Sequence, residues 1–144
     1  MKELELAEKF RARFEADAAN FAGVSCRTDL DSATVVHPGL VFSVQTKPLT
    51  TSGAKMEFGL FVWAESPAEK REASDPEPET AHIALVEKVR AKLHGTGKAA
   101  LLTALNSAGG FTWKGWVAAT PNQPGIEMSH FRTPVCAEGI VFIT

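Results

Sequence analysis

Four histidines and two cysteines are the side chains in this 144-residue sequence best suited to metal binding or nucleophilic chemistry. They are His37, His82, His94, His130, Cys26 and Cys136. Zinc sites place such ligands at short spacings, H-x-x-x-H or C-x-x-C, and no pair here has one. A Cys–His nucleophile pair needs only proximity in space, so composition permits it, but no residue pattern favours it. We therefore predict no metal, no cofactor, no catalytic residue and no enzymatic activity.

Two further patterns lack a required feature of a functional motif. The segment Gly95-Thr96-Gly97-Lys98 resembles the end of a phosphate-binding loop, but Ala99 replaces the hydroxyl residue and a predicted helix precedes it. The G-x-S-x-G context of a hydrolase nucleophile is absent at Ser25, Ser43, Ser107 and Ser129. A helix end followed by a new helix is the simpler interpretation of the glycine pair.

Composition narrows the class of protein. With 44% hydrophobic residues, the chain has enough apolar surface for one domain, residues 1–144, with a substantial core. A net charge of −2 gives no basic surface for nucleic acid. The apolar runs are shorter than the ~18 residues that predict a membrane span. The acidic, amphipathic start MKELELAEKF is neither a signal nor a transit peptide, so we expect a cytoplasmic protein with reduced, partly buried cysteines.

The organising element is a predicted strand at 55–64 followed by a predicted helix at 79–95. In the strand, apolar residues alternate on one face: Met56, Phe58, Leu60 and Val62. The other face is charged at one end but carries Phe61 and Trp63 at the other, and this aromatic end needs a cover. Either the helix or a second subunit could supply it. The helix has an apolar stripe of Leu85, Val89 and Leu93 with His82 beside it, and Asp75 is its predicted cap.

The remaining elements complete an α+β pattern. Helices are predicted at 2–22 and 98–107, and strands at 24–28, 40–47, 111–120, 126–133 and 139–144. The strands at 40–47 and 55–64 should pair antiparallel through a Gly-containing loop. Because strands and helices come in runs, we predict a mostly antiparallel sheet packed against two or three helices, with the N-terminal helix first.

The three tryptophans give the only indication of an interaction surface. Trp113 and Trp116 have opposite parity along their strand, so they point to opposite faces unless a bulge at Gly115 realigns them. One interpretation places the aromatic residues in a core covered by helices. The other is a homo-oligomer interface formed by Phe61, Trp63, Trp113 and Trp116, because tryptophan is enriched at interface centres.

The order of elements resembles that of a known family. The features that carry the resemblance are the hydrophobic strand into Trp63, an acidic connector, the helix AHIALVEKVRAKLHG, a Leu-rich segment, WKGWVAAT and a final strand. From about Leu40 onward this order is similar to that of the tail terminators and related minor tail-completion proteins of tailed bacteriophages and prophages.

The resemblance implies an α+β sandwich and a structural role without catalytic residues. Such proteins commonly form hexameric rings that cap or complete the tail tube, so the implied partners are further copies of the chain and tail tube or neck proteins. The implied location is the bacterial cytoplasm during assembly and then the virion tail. The competing hypothesis is a small-ligand or partner-binding module with a cleft between sheet and helices.

Overall fold

The structure is a computed structural model that describes residues 2–29, 38–70, 72–119, 125–127 and 130–144. In these residues the helices are α1 (Lys2–Glu15), α2 (Ala18–Phe21), α3 (Pro78–His94) and α4 (Lys98–Ser107). The strands are β1 (Ser25–Thr28), β2 (Gly39–Pro48), β3 (Lys55–Pro67), β4 (Phe111–Ala118), β5 (Gly125–Glu127) and β6 (His130–Ile143).

The strands form one sheet in the order β1-β2-β3-β6-β4, with β5 also paired to β6. Only the β1–β2 pair is parallel among these pairings. The predicted antiparallel pairing of 40–47 with 55–64 is confirmed, with Val44 opposite Leu60. The predicted α+β class, with a mostly antiparallel sheet and the N-terminal helix first, is therefore correct.

One face of the sheet, which we call the core face, packs against the helices. Buried side chains of all four helices join a single cluster with alternate residues of the strands. Phe10 of α1 lies at its centre, with its ring 5.0 Å from that of Trp113 and 5.6 Å from that of Trp116. The predicted contact stripe of α3 is confirmed, since Leu85, Val89 and Leu93 are all buried.

The N-terminal helix is shorter than predicted. It ends at Glu15, and a second short helix begins at Ala18 after a non-helical Asp17. The carboxylate of Asp17 accepts hydrogen bonds from the side chains of Asn20 and, at 3.0 Å, Lys92 of α3. The Asp17 side chain thus bonds both within the break, to Asn20, and across to α3, which stabilises the non-helical conformation between α1 and α2.

The predicted cap of α3 is wrong by two residues. Glu77 occupies the N-cap position and Pro78 begins the helix. Asp75 instead accepts a hydrogen bond from the backbone N–H of Glu72 within the connector. Proline at the first helical position needs no partner for a missing N–H, which is why the helix begins there.

The C-terminal strands also differ from the prediction. Residues 126–133, predicted as one strand, divide between β5 and β6, which pair antiparallel with Glu127 opposite His130; residues 128–129 lie outside the described part. The predicted strand at 139–144 is the end of the same β6. Pro134 lies inside β6, and its nitrogen points away from β3. On that side, β5 pairs with β6 as far as Arg132, and β4 pairs with β6 from Ala137 onward. A proline is tolerated there because no pairing among the described strands needs its missing N–H.

Candidate functional site

The candidate site is the outer face of the sheet, opposite the core face. Strand β3 positions it, because its alternate residues point to opposite sides. Leu60 and Val62 are buried against the helices, whereas Phe61 and Trp63 are half-buried on the outer face. The Phe61 and Trp63 rings are stacked, with centroids 6.4 Å apart and planes 13° apart. The two residues therefore form a continuous aromatic surface.

Residues from both neighbouring strands hold Trp63 in place. Val41 of β2 and Pro134 of β6 lie opposite it in the sheet register, and both are buried. The guanidinium of Arg132 lies over the Trp63 ring, with Cζ 3.8 Å from the ring centroid. Such a cation–π contact contributes about 0.5–1 kcal/mol where it is partly exposed. The tryptophan is thus held in a fixed orientation while one part of its ring remains accessible.

An ion-pair network fixes the orientation of Arg132. Glu65, only 5% exposed, accepts from Arg132 Nε at 3.0 Å and from Arg27 Nη2 at 3.4 Å. The network joins β1, β3 and β6 across the outer face. A buried carboxylate requires such charged donors, since its burial without them would be costly. A rigid rim of this kind reduces the entropy lost when a partner docks on the aromatic pair.

A shallow depression of about 490 Å³ lies next to Phe61. Gly59 is among its lining residues, and a Cβ added at Gly59 would meet nothing within 4 Å beyond its chain neighbours. Charged residues from three strands surround it: Lys47, Glu57 and Glu138. The outer face therefore combines an aromatic surface with an adjacent concave, mixed-charge surface.

The other two predicted interface residues are not on this face. Trp113 and Trp116 are 2% and 4% exposed and belong to the core of the same chain. The pairing of β4 with β6 shifts register between them, and Gly115 adopts a φ of +95°. This is the bulge that would realign the two rings, and it turns both toward the core face. The candidate subunit interface is consequently reduced to Phe61 and Trp63.

His82 lies in a buried polar cluster on the core face. Its Nδ1 is 2.6 Å from Ser66 Oγ and its Nε2 is 2.7 Å from Thr133 Oγ1. Burial lowers the pKa of His82, so the ring is neutral at pH 7. Because both ring nitrogens have hydroxyl partners, the cluster ties α3 to β3 and β6 through hydrogen bonds. Neither partner was identified from the sequence, since they lie 16 and 51 residues away and follow no motif.

The remaining thiols and histidines do not form a reactive pair in the described residues. Cys26 and Cys136 are free, and burial raises the pKa of Cys26 to about 11 and also raises that of Cys136. Their thiols are therefore protonated at pH 7. The hydrogen-bond partner of His94 Nε2 in Cys136 is the backbone carbonyl oxygen, at 2.9 Å, and not the thiol. His37 and Ser129 lie outside the described residues, and His130 enters only as the first residue of β6.

A groove between α3 and the Pro67 end of β3 is a second concave surface. Its volume is about 520 Å³, and apolar residues such as Val24, Pro67 and Leu85 line it together with Lys70 and Lys88. Ser66 also contributes to its wall. The groove lies away from Trp63 and Phe61, so the two surfaces can be tested separately.

Comparisons with known proteins add no assignment. No protein-family model matches the chain, and no curated protein matches it. Within the described residues, no three His, Cys, Asp or Glu side chains are grouped so that they could hold a metal ion. None of the helices described is long and apolar enough to cross a membrane.

Proposed function

We propose that the chain is a non-enzymatic structural protein that associates with other proteins through the outer face of its sheet. The observation that carries the proposal is the stacked, half-exposed pair of Phe61 and Trp63 on a face opposite to all the helix contacts. Aromatic and arginine side chains with an ordered rim are the composition that interface centres favour. Burial of one such side chain by a partner contributes about 1.5–3 kcal/mol.

Within this class, we assign the chain the role of a phage or prophage tail terminator-like subunit. The resemblance in element order from about Leu40 onward supports the assignment, and the α+β arrangement is compatible with it. Copies of the chain would form a ring, such as a hexamer, that caps or completes the tail tube. The mechanism is geometric: one surface docks on the last tube ring or a neck protein, and neither nucleic acid nor membrane takes part. Assembly would occur in the bacterial cytoplasm, and the product would remain in the virion tail.

The test is Trp63→Glu, with Ile83→Glu as the matched control. Ile83 is 54% exposed on α3, so its change adds the same charge to an apolar surface elsewhere. Both variants should retain the circular dichroism spectrum of the wild type. We expect only Trp63→Glu to lose ring formation or binding to tail tubes that lack their end protein, as measured by sedimentation and negative-stain microscopy.

Two results would contradict this proposal. If Trp63→Glu unfolds while Ile83→Glu does not, Trp63 serves the fold of the subunit and the interface argument is wrong. If Trp63→Glu remains folded and docks like the wild type, the outer face is not the contact surface. A monomeric wild type without tubes is compatible with the proposal, because docking on the tube can supply the contacts that complete the ring.

The groove beside α3 supports the alternative, a small-ligand or partner-binding module. It is a concave, mainly apolar cleft between a helix and the sheet, the arrangement that such modules use. The same pair of variants separates the two proposals. A module that works through the groove predicts a folded Trp63→Glu protein with unchanged binding, because Trp63 does not line the groove.

A further inference from the structure

Strand β4 forms an edge of the sheet, and part of its backbone points away from the neighbouring strand. Thr144 N–H donates to the carbonyl of Gly110, and Ala119 N–H donates to that of Cys136. The N–H and C=O groups of successive residues in a strand point alternately toward one neighbour and toward the other, and the bulge at Gly115 shifts this alternation by one residue. The N–H and C=O groups of Trp113 and Trp116 therefore point away from β6, to the open side of β4. An outward row of N–H and C=O groups is a template on which another strand can add.

Asn106 of α4 occupies this edge at Trp113. Its Oδ1 accepts from the backbone N–H of Trp113 at 2.7 Å, and its Nδ2 donates to the carbonyl of the same residue at 3.2 Å. These are the two bonds that a residue of an added antiparallel strand would make. One amide side chain therefore replaces one position of a missing strand.

Lys98, at the other end of α4, acts on the same edge. Its Nζ donates to the backbone carbonyl of Trp116 at 2.5 Å. Between the two positions lies the bulge at Gly115, where the register with β6 shifts. A bulge bends an edge strand and a charged side chain opposes strand pairing, so three features act on one stretch of edge.

We infer that Asn106 and Lys98 close the β4 edge against addition of a strand from a second copy of this chain. Association is thereby restricted to surfaces other than this edge. The inference rests on the edge geometry and stands whether or not the chain is a tail protein. In the proposed ring, it means that subunits do not continue one another's sheet at β4.

The first measurement is the rate of hydrogen exchange at the Trp113 amide, monitored by NMR in the Asn106→Ala variant and in the control variant Ser107→Ala. Ser107 is the next residue of α4, and its hydroxyl bonds within the helix, to the Thr103 carbonyl. Both variants carry Trp63→Glu, so that the outer-face contact does not contribute. We expect the Trp113 amide to exchange at least tenfold faster in Asn106→Ala than in Ser107→Ala. Equal rates would overturn the inference.

The second measurement is self-association by sedimentation velocity of the Asn106→Ala, Lys98→Met double variant, again with Trp63→Glu. We expect a concentration-dependent increase in mass that the Ser107→Ala control lacks. Unchanged mass, even with faster exchange at Trp113, would show that these side chains do not keep a second copy away. If Asn106→Ala does not fold, Lys98→Met alone must show the increase, and its absence overturns the inference. Because Trp63 is replaced in every variant, association through the outer face does not contribute to the measured mass; should Trp63→Glu unfold, the same variants are compared in the wild-type background, where the increase over Ser107→Ala is still required.

Discussion

The two faces of strand β3 show how one alternating sequence serves two purposes. On the core face, Phe58 is buried and its ring lies 5.2 Å from that of Trp113, in an edge-on contact typical of a packed interior. On the outer face, Phe61 and Trp63 stack side by side and are only half-buried. Helix packing stabilises the first pair, and a charged rim holds the second. The outer pair is ordered without being needed to fill the core.

The polar groups of the two faces, toward the Pro67 end of β3, differ in the same way. The core face has neutral hydroxyl and imidazole groups, in the cluster of Ser66, His82 and Thr133. The outer face has charged groups, with Glu65 between two arginines. Neutral partners avoid the cost of burying charge in the interior. Glu65 is buried as well, so its charge requires the two arginines, whose side chains remain partly exposed and bring positive charge to the surface around Trp63.

The largest effect should separate the two phenylalanines of β3. We expect Phe58→Ala to lower the free energy of unfolding by about 3–5 kcal/mol, because it leaves a cavity in the aromatic core. Phe61→Ala should cost about 1 kcal/mol or less, since its ring is half-exposed and its loss leaves no cavity. Urea denaturation of both variants measures the difference. Equal losses would mean that the outer face is part of the subunit core.

A smaller effect should separate two glycines. A Cβ at Gly139, on the core face, would lie 2.2 Å from the backbone oxygen of Gly115 and 3.0 Å from Phe58. Backbone at the bulge must move to accommodate it, so we expect Gly139→Ala to cost about 1–3 kcal/mol. Gly59→Ala is the control, because nothing lies within 4 Å of a Cβ there. It should be neutral or stabilise by up to about 1 kcal/mol. Thermal and urea unfolding of the pair should rank them in this order; the reverse order would refute the close approach of β4 to β6.

Periodicity predicted most of the fold, because it depends on local alternation. The buried stripe of α3 followed from apolar spacing, and the pairing of β2 with β3 followed from alternation together with the Gly-containing loop between them. Errors occurred where a long-range contact determined the local structure. Asp17 ends α1 while it pairs with Lys92, 75 residues later. The strands predicted at 126–133 and 139–144 leave a gap that β6 crosses, and Pro134 in that gap lies where neither β4 nor β5 pairs with β6 in the described residues.

The candidate site was only partly predictable for the same reason. The alternation in β3 identified Phe61 and Trp63 as outward-facing. It could not identify Arg132 or Glu65 as their rim, since the contacts join β6, β3 and β1 across the sheet. The side on which Trp113 and Trp116 lie depended on a bulge that parity could not establish. Gly115 was the one local signal for it, because a positive φ favours glycine.

The smallest effect should come from His82, and it tests whether the core-face cluster is neutral. Burial lowers the pKa of His82 from 6.5, so the unfolded chain takes up this proton at a higher pH than the folded chain does. The contribution to stability is therefore complete above pH 6.5 and is lost as the pH falls from there toward the folded pKa. His82→Gln retains a donor and an acceptor for the two hydroxyls but does not titrate. We expect its free energy of unfolding, measured by urea denaturation from pH 7.5 to 5, to decline less steeply than that of the wild type.

His94 provides the control, since burial lowers its pKa as well and His94→Gln should keep the part of the slope due to His82. Parallel curves for wild type and His82→Gln would mean that His82 titrates alike in both states, and the contrast between a neutral core face and a charged outer face would fail at this cluster.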